Sequence, residues 1–313
     1  MKKVLITGVA GFIGSHLAER FIREGYFVYG VDNFLTGRRE NIAHLSSENF
    51  TLIEWDLRTP FTFDFNELDL ILHFASPASP VDYFRYPIET LEVNSIGTLS
   101  MLKLALKVGA LFVFASTSEV YGDPEVHPQG EDYWGHVNPV GPRSVYDEGK
   151  RFGEALTMGF YRKYGLKTRI LRIFNTYGPR MRIDDGRVIP SFIGRALKGK
   201  PLIIYGDGTQ TRSYCYVDDL VEGIYLVATK SDINGEVINL GNPEEYTILE
   251  TAKIILELTG SRSKIIFESG LEDDPKRRRP DITKAINLLG WRPKTPFIEG
   301  LGKTIEYFAS ILK

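Results

Sequence analysis

The sequence predicts an α/β fold: a doubly wound parallel sheet with a smaller substrate-binding domain at its carboxyl edge. Short apolar runs alternate with helix-length amphipathic stretches as far as residue 240, and a glycine-rich turn follows the first run. The rhythm then changes after residue 173. Strands alternating with helices imply parallel pairing with right-handed crossovers.

The apolar run from Val4 to Thr7 enters a turn carrying Gly8, Gly11 and Gly14, and a helical pattern over 15–23 breaks at Gly25. A second buried strand over 26–31 ends at Asp32 and Asn33. Further strands are expected at 51–55, 70–74, 111–115, 168–173 and 237–240, with helices between most of them, notably 87–108 and 146–164. Segment 174–208 is rich in Gly, Pro, Arg and Tyr, and 260–296 is loop-rich with a basic run. Both read as one substructure over the carboxyl edge, where open α/β sheets bind ligands. The expected division is 1–172 with 209–241 for the dinucleotide, and 173–208 with 242–313 for the second ligand.

Of 313 residues, 43% are hydrophobic and 12% aromatic, enough for a sizeable core and too much for a disordered chain. Lys and Arg (38) nearly balance Asp and Glu (40), so a nucleic-acid partner is not expected. No apolar run approaches the ~18 residues of a membrane span, so no membrane partner is expected either. The chain enters its first strand at once, which leaves no room for a signal peptide. Cys215 is the one cysteine, which excludes an internal disulfide framework, and the five histidines lack metal-ligand spacing. The expectation is a cytoplasmic protein with no metal.

Gly8, Gly11 and Gly14, between a strand and a helix, match a phosphate-binding turn. Gly8 would allow the sharp turn, Gly11 the approach of a pyrophosphate, and Gly14 close helix–strand packing. Their spacing differs by one residue from the usual fingerprint, and an ordinary Gly-rich turn is the alternative. Asp32, eighteen residues after Gly14, favours the dinucleotide. Its carboxylate can accept from both ribose hydroxyls and would repel a 2′-phosphate, which selects NAD over NADP. Asp56 and Leu57, after the third strand, read either as an adenine contact or as a turn.

Tyr146 and Lys150 fall at i and i+4, on one face of a helix. A phenol ionises near pH 10, but an adjacent ammonium and a cationic nicotinamide would lower that value. The pair therefore suits proton abstraction from an alcohol during hydride transfer. Taken alone, this spacing is common on helix surfaces. Here Ser116, Thr117, Ser118 and Glu119 leave another strand at the same sheet edge, with a turn cluster as the alternative.

Together, Gly8, Gly11, Gly14, Asp32, Thr117, Tyr146 and Lys150 resemble the extended short-chain dehydrogenase/reductase family acting on nucleotide sugars, a Rossmann-fold family. The resemblance is narrower along nearly the whole chain, to the branch that decarboxylates UDP-glucuronate to UDP-xylose. It runs through blocks 73–80, 116–122, 132–139, 146–151, 172–181, 210–212 and 273–282. It implies NAD as a bound, recycled cofactor, contacted by Gly8, Gly11, Phe12, Ile13, Gly14, Asp32, Asn33, Asp56, Leu57, Tyr146 and Lys150. Tyr146 would be the base at the sugar 4-hydroxyl, Thr117 its hydrogen-bonding partner there, and Lys150 the group that tunes Tyr146. Ser118 and Glu119 would handle protons or press on the sugar near C5. Arg278 would engage the substrate carboxylate, although Arg277 and Arg279 leave the register open and a solvated basic loop is the alternative. Tyr83, Asn175, Arg180, Val188, Tyr205 and Arg212 would line the UDP-sugar site, with packing as the alternative for Tyr83. Helices 87–108 and 146–164 would form a homodimer interface.

Related 4,6-dehydratases read Thr-Asp-Glu where this chain has Thr117, Ser118 and Glu119, which removes the acid that expels a 6-hydroxyl. A UDP-sugar 4-epimerase or 4-keto synthase is the alternative within the class. Outside it stands an NAD-sensing regulator without catalysis, against which the full set Thr117, Glu119, Tyr146 and Lys150 speaks.

Overall fold

The structure is a computed structural model that describes residues 1–270 and 276–312. Asp273, Asp274 and Pro275 of the basic block lie outside the described residues. Strands β1 (Lys3–Thr7), β2 (Phe27–Asp32), β3 (Phe50–Glu54), β4 (Leu70–His73), β5 (Leu111–Thr117), β6 (Thr168–Ile173) and β7 (Glu236–Leu240) form one parallel sheet. Their order is β7-β6-β5-β4-β1-β2-β3. Winding therefore changes direction between β1 and β4, and the crevice at such a switch point opens beyond the carboxyl ends.

Side-chain alternation along the strands builds a core on each face. Val4 and Ile6 of β1 join Leu17, Phe21, Val28, Leu72 and Ile224 on one face. Leu5 joins Val31, Ile71, Leu102, Phe112 and Phe160 on the other. The first cluster continues through Phe192, Ile255 and Phe308, so the segments beyond the sheet share one core with it. Among the described residues, no helix is long and apolar enough to cross a membrane.

Two local differences from the expectation have physical reasons. β5 runs two residues further than 111–115, because Ser116 and Thr117 still pair with Arg172 and Ile173 of β6. The Ser116 hydroxyl is satisfied by Glu154 at 2.6 Å, which lets a polar residue end a buried strand. The stretch 87–108 is also not one α-helix. A turn over Pro87–Glu92 passes through a π segment, Val93–Gly97, into Thr98–Val108. Asn94 in that wider turn donates to Thr90 O at 2.8 Å and Ser76 Oγ at 3.0 Å, tying the helix to the loop after β4.

The main helices that position the site are α1 (Phe12–Arg23), α2 (Ser144–Tyr164) and α3 (Val188–Leu197). Small sheets lie apart from the main one. Leu202–Tyr205 pairs with Ile265–Glu268, and Thr211–Ser213 lies between Glu245–Thr247 and Arg277–Arg278. The basic run thus enters as a strand, with Arg278 beside Arg212 in parallel register.

Candidate active site

A cleft of about 630 Å³ runs along the carboxyl edge of the sheet, within the range of cofactor and small-ligand sites. Its walls carry all the residues singled out from the sequence, from Gly8 to Arg278. Strand ends supply one wall; α3 and residues 203–214 supply the other.

At one end is the glycine turn. Gly8 has a left-handed backbone (φ +71°), and a Cβ there would lie 2.9 Å from Ala75 N. A Cβ on Gly14 would lie 2.1 Å from Gly8 O, so only glycine lets α1 sit this close to β1. α1 starts at Phe12 behind Gly11, which brings no capping side chain, so the first-turn N–H groups stay available to an anion. Asp32 ends β2 and accepts from Ala10 N at 2.9 Å and Phe34 N at 2.8 Å. Burial raises its pKa, and these N–H bonds oppose the rise. The glycine cradle and this anchored carboxylate fit NAD. Asp56 lies along the same wall, but its carboxylate is forked onto Arg58, with contacts from 2.6 to 3.0 Å. Asp32→Asn should weaken NAD binding roughly 10–100-fold and narrow the preference over NADP. Equilibrium binding of the two dinucleotides checks this, and an unchanged preference overturns it.

At the centre, Thr117 ends β5 while Tyr146 and Lys150 project from the first turns of α2. The Thr117 hydroxyl lies near enough to Tyr146 to act on its phenol. Lys150 donates to Ala115 O at 2.9 Å, and its Nζ lies 5.8 Å from the Tyr146 ring centroid. Burial raises the Tyr146 phenol above its ordinary value, and the Thr117 hydroxyl opposes the rise. Burial also pushes the Lys150 ammonium down to about 7. Tyr83 stacks on Tyr146 (centroids 5.2 Å apart, planes 9° apart), and its own hydroxyl is buried without a partner.

Beside this pair lies a charge cluster. Glu119 is bridged by Arg143 at 2.5 Å and by Arg278. Burial alone would raise the Glu119 carboxyl, but the Arg278 and then the Arg143 guanidinium outweigh it and hold it well below the usual carboxylate range. Arg278 also donates to Gly122 O at 3.2 Å, and its Nε is buried without a partner. The strand pairing turns Arg278 into the cleft at 3% exposure, whereas Arg277 and Arg279 are 58% and 41% exposed. Ser118 is buried on the same wall.

On the far side, Asn175 follows β6, Val188 opens α3, Arg212 is buried, and Tyr205 is the most open of the set. Arg180 reaches the wall with its guanidinium tied to Glu19 of α1 at 2.7 Å. Sequence reasoning missed Arg143 and Arg187. Arg143 stands three residues before Tyr146, and only folding shows that it faces Glu119. Arg187 pairs with Asp185 through two contacts, one of them 2.8 Å, and its charge acts on Tyr146. Its place just before Val188 was the available signal.

A dinucleotide cradle and a Thr–Tyr–Lys centre share one cleft at the carboxyl edge of a doubly wound sheet, the arrangement of a nucleotide-dependent enzyme. Residues 4–241 match the NAD dependent epimerase/dehydratase family, and the chain belongs to it. It is 54% identical over 313 residues to UDP-glucuronic acid decarboxylase 1 of Danio rerio, covering all of this chain and 74% of that protein. UDP-glucuronic acid decarboxylase 4 of Arabidopsis thaliana is 52% identical over 307 residues, 98% of this chain and 68% of that one. Among solved structures, UDP-glucose 4-epimerase of Thermotoga maritima with UDP-glucose has a TM-score of 0.90 at 34% identity, covering 99% of this chain and 100% of that chain. UDP-glucuronic acid 4-epimerase of Bacillus cereus, in complex with UDP-glucuronic acid and NAD, has a TM-score of 0.88 at 31% identity, covering 99% of each chain.

Proposed function

We propose that the protein removes CO2 from UDP-glucuronate and releases UDP-xylose, with NAD kept and recycled in the site. The observation that carries this reading is the buried Arg278–Glu119–Arg143 cluster beside the Thr117–Tyr146 pair. It offers an anchored guanidinium to a carboxylate one carbon from the carbon being oxidised. The relatives at 54% and 52% identity, both named UDP-glucuronic acid decarboxylases, support it.

The chemistry NAD supplies when bound is reversible hydride exchange at C4, oxidation first and reduction last. Tyr146 takes the O4 proton, assisted by the Thr117 hydroxyl and the Lys150 charge. The resulting C4 ketone is β to the C6 carboxylate. When the C5–C6 bond breaks, CO2 leaves and the electron pair passes through C5 to O4. Thr117 and Tyr146, both at hydrogen-bonding reach of that oxygen in this reading, stabilise the enolate. C5 then takes one proton and C4 is reduced. Asn175, Val188, Tyr205 and Arg212 hold the UDP portion, with Arg180 and Tyr83 along its path.

Residues 1–172 with 209–241 carry the cofactor in this reading, and 173–208 with 242–313 the UDP-sugar. Exposed Ile88, Leu91 and Ile96, together with exposed Phe152 on the adjoining α2, support pairing with a second copy as a homodimer. A cytoplasmic setting is supported by the lone cysteine, Cys215, buried as a free thiol.

Incubation with UDP-glucuronate, with CO2 trapped and the sugar nucleotide weighed by mass spectrometry, tests the reading. The expected products are CO2 and UDP-xylose. UDP-galacturonate without CO2, or an untouched substrate with NAD bound, overturns it in favour of a 4-epimerase.

A further inference from the structure

The reaction consumes one proton at C5 for each CO2 released, and the structure shows where a proton can be kept. Asp147 follows Tyr146 on α2, is 5% exposed, and has Oδ1 buried without a hydrogen-bond partner. It does not line the cleft. The charged and titratable groups that act on it come from four elements. They are Glu119 on the turn after β5, Arg278 on its short strand, and Arg143, Tyr146 and Glu148 at the start of α2. Tyr83, on the short helix Pro80–Arg85, also feels its charge. Lys150 is turned onto the Ala115 carbonyl.

Glu119 has an arginine on each carboxylate oxygen, whereas Asp147 has none. Glu148 is 40% exposed and paired with Arg151 at 3.6 Å, which leaves two buried acids and two arginines, a cluster that is neutral when both acids are ionised. A ligand carboxylate arriving at Arg278 makes three acids against two arginines, a surplus a buried site cannot hold cheaply. The acid without a partner is the one that gives way. We infer that Asp147 is the proton store of this site, taking up a proton as the carboxylate of UDP-glucuronate binds, so that substrate and the proton its decarboxylation consumes arrive together. Asp147 acts through Glu119 and Arg278 and is a positioning residue. Burial, and after it the Glu119 charge, already raise its carboxyl to about 7, so a further carboxylate shifts it within the neutral range. Uptake on binding means that affinity for the carboxylated ligand falls as pH rises.

The inference rests on the decarboxylase reading and is tested apart from it. NAD-loaded Tyr146→Phe protein binds without turning over, and titration calorimetry in buffers of different ionisation enthalpy counts protons. UDP-glucuronate should bring about half to one proton per site at pH 7.5, and UDP-xylose close to none. Affinity for UDP-glucuronate should fall about 3- to 10-fold from pH 7 to 8. In Tyr146→Phe/Asp147→Asn, uptake should vanish and the affinity should become flat with pH. Uptake that persists in the double variant assigns the store elsewhere and overturns the inference. Should the double variant not fold, equal uptake with both ligands in Tyr146→Phe overturns it equally. Wild-type protein that releases no CO2 from UDP-glucuronate sinks the function itself; CO2 release without carboxylate-dependent uptake sinks only the role of Asp147.

Discussion

Tyr146→Phe should lower UDP-xylose formation by about 100- to 10,000-fold while NAD stays bound. The change removes one hydroxyl and keeps the ring stacked on Tyr83. Thr117 keeps the bond that it accepts from Glu119 N at 3.2 Å, so the local backbone keeps its shape. What disappears is the proton acceptor at O4, and every later step depends on the ketone that its action creates. Single-turnover absorbance of the cofactor with UDP-glucuronate checks the result. Near-normal oxidation would remove Tyr146 from the role of base and leave the buried Lys150 to explain.

Arg278→Ala carries the second large effect, on both folding and selectivity. The variant leaves Glu119 with Arg143 alone and deprives Gly122 O of a donor. Breaking a buried pair from one side costs about 3–5 kcal/mol of stability. For the reaction, loss of the carboxylate partner should cost about 2–5 kcal/mol in kcat/KM for UDP-glucuronate. UDP-xylose has no carboxylate to lose, and its affinity should change by less than about 3-fold, within the scatter of a substitution away from the ligand. Parallel titrations with the two nucleotides decide the matter. Equal losses would make Arg278 a strut of the cleft and nothing more.

The alternation of apolar runs made the sheet legible, because parallel strands covered on both faces must be apolar almost throughout. Gly8 and Gly14 were readable for a similar reason: close approach leaves space only for glycine. The last two residues of β5 were misjudged because Ser116 is polar, and its partner Glu154 lies 38 positions away. The π segment at 93–97 leaves no mark in a periodicity that shifts by a single residue. Arg143 escaped notice for a third reason. Its significance lies in Glu119, which also meets Arg278 from 159 residues downstream. Pairings across that separation are set by the crossing of two substructures, and no local pattern encodes them. Arg278 itself was singled out, but that it alone of the three arginines is buried follows from its pairing beside Arg212, which no local pattern marks.

That adjacency has a metric consequence. Neighbouring strands stand about 4.8 Å apart, and Arg212 and Arg278 are direct partners across one such rung. If UDP-glucuronate is the substrate and the two arginines take the roles proposed above, one meets the diphosphate in the middle of the molecule and the other the carboxylate at its sugar end, so two anionic groups of a single molecule are gauged from one crosspiece. A sugar nucleotide whose acid group sits a carbon too far along, or whose linker is longer, can satisfy one guanidinium only by leaving the other. Length itself becomes a criterion of admission, set by the rung from which both arginine side chains start.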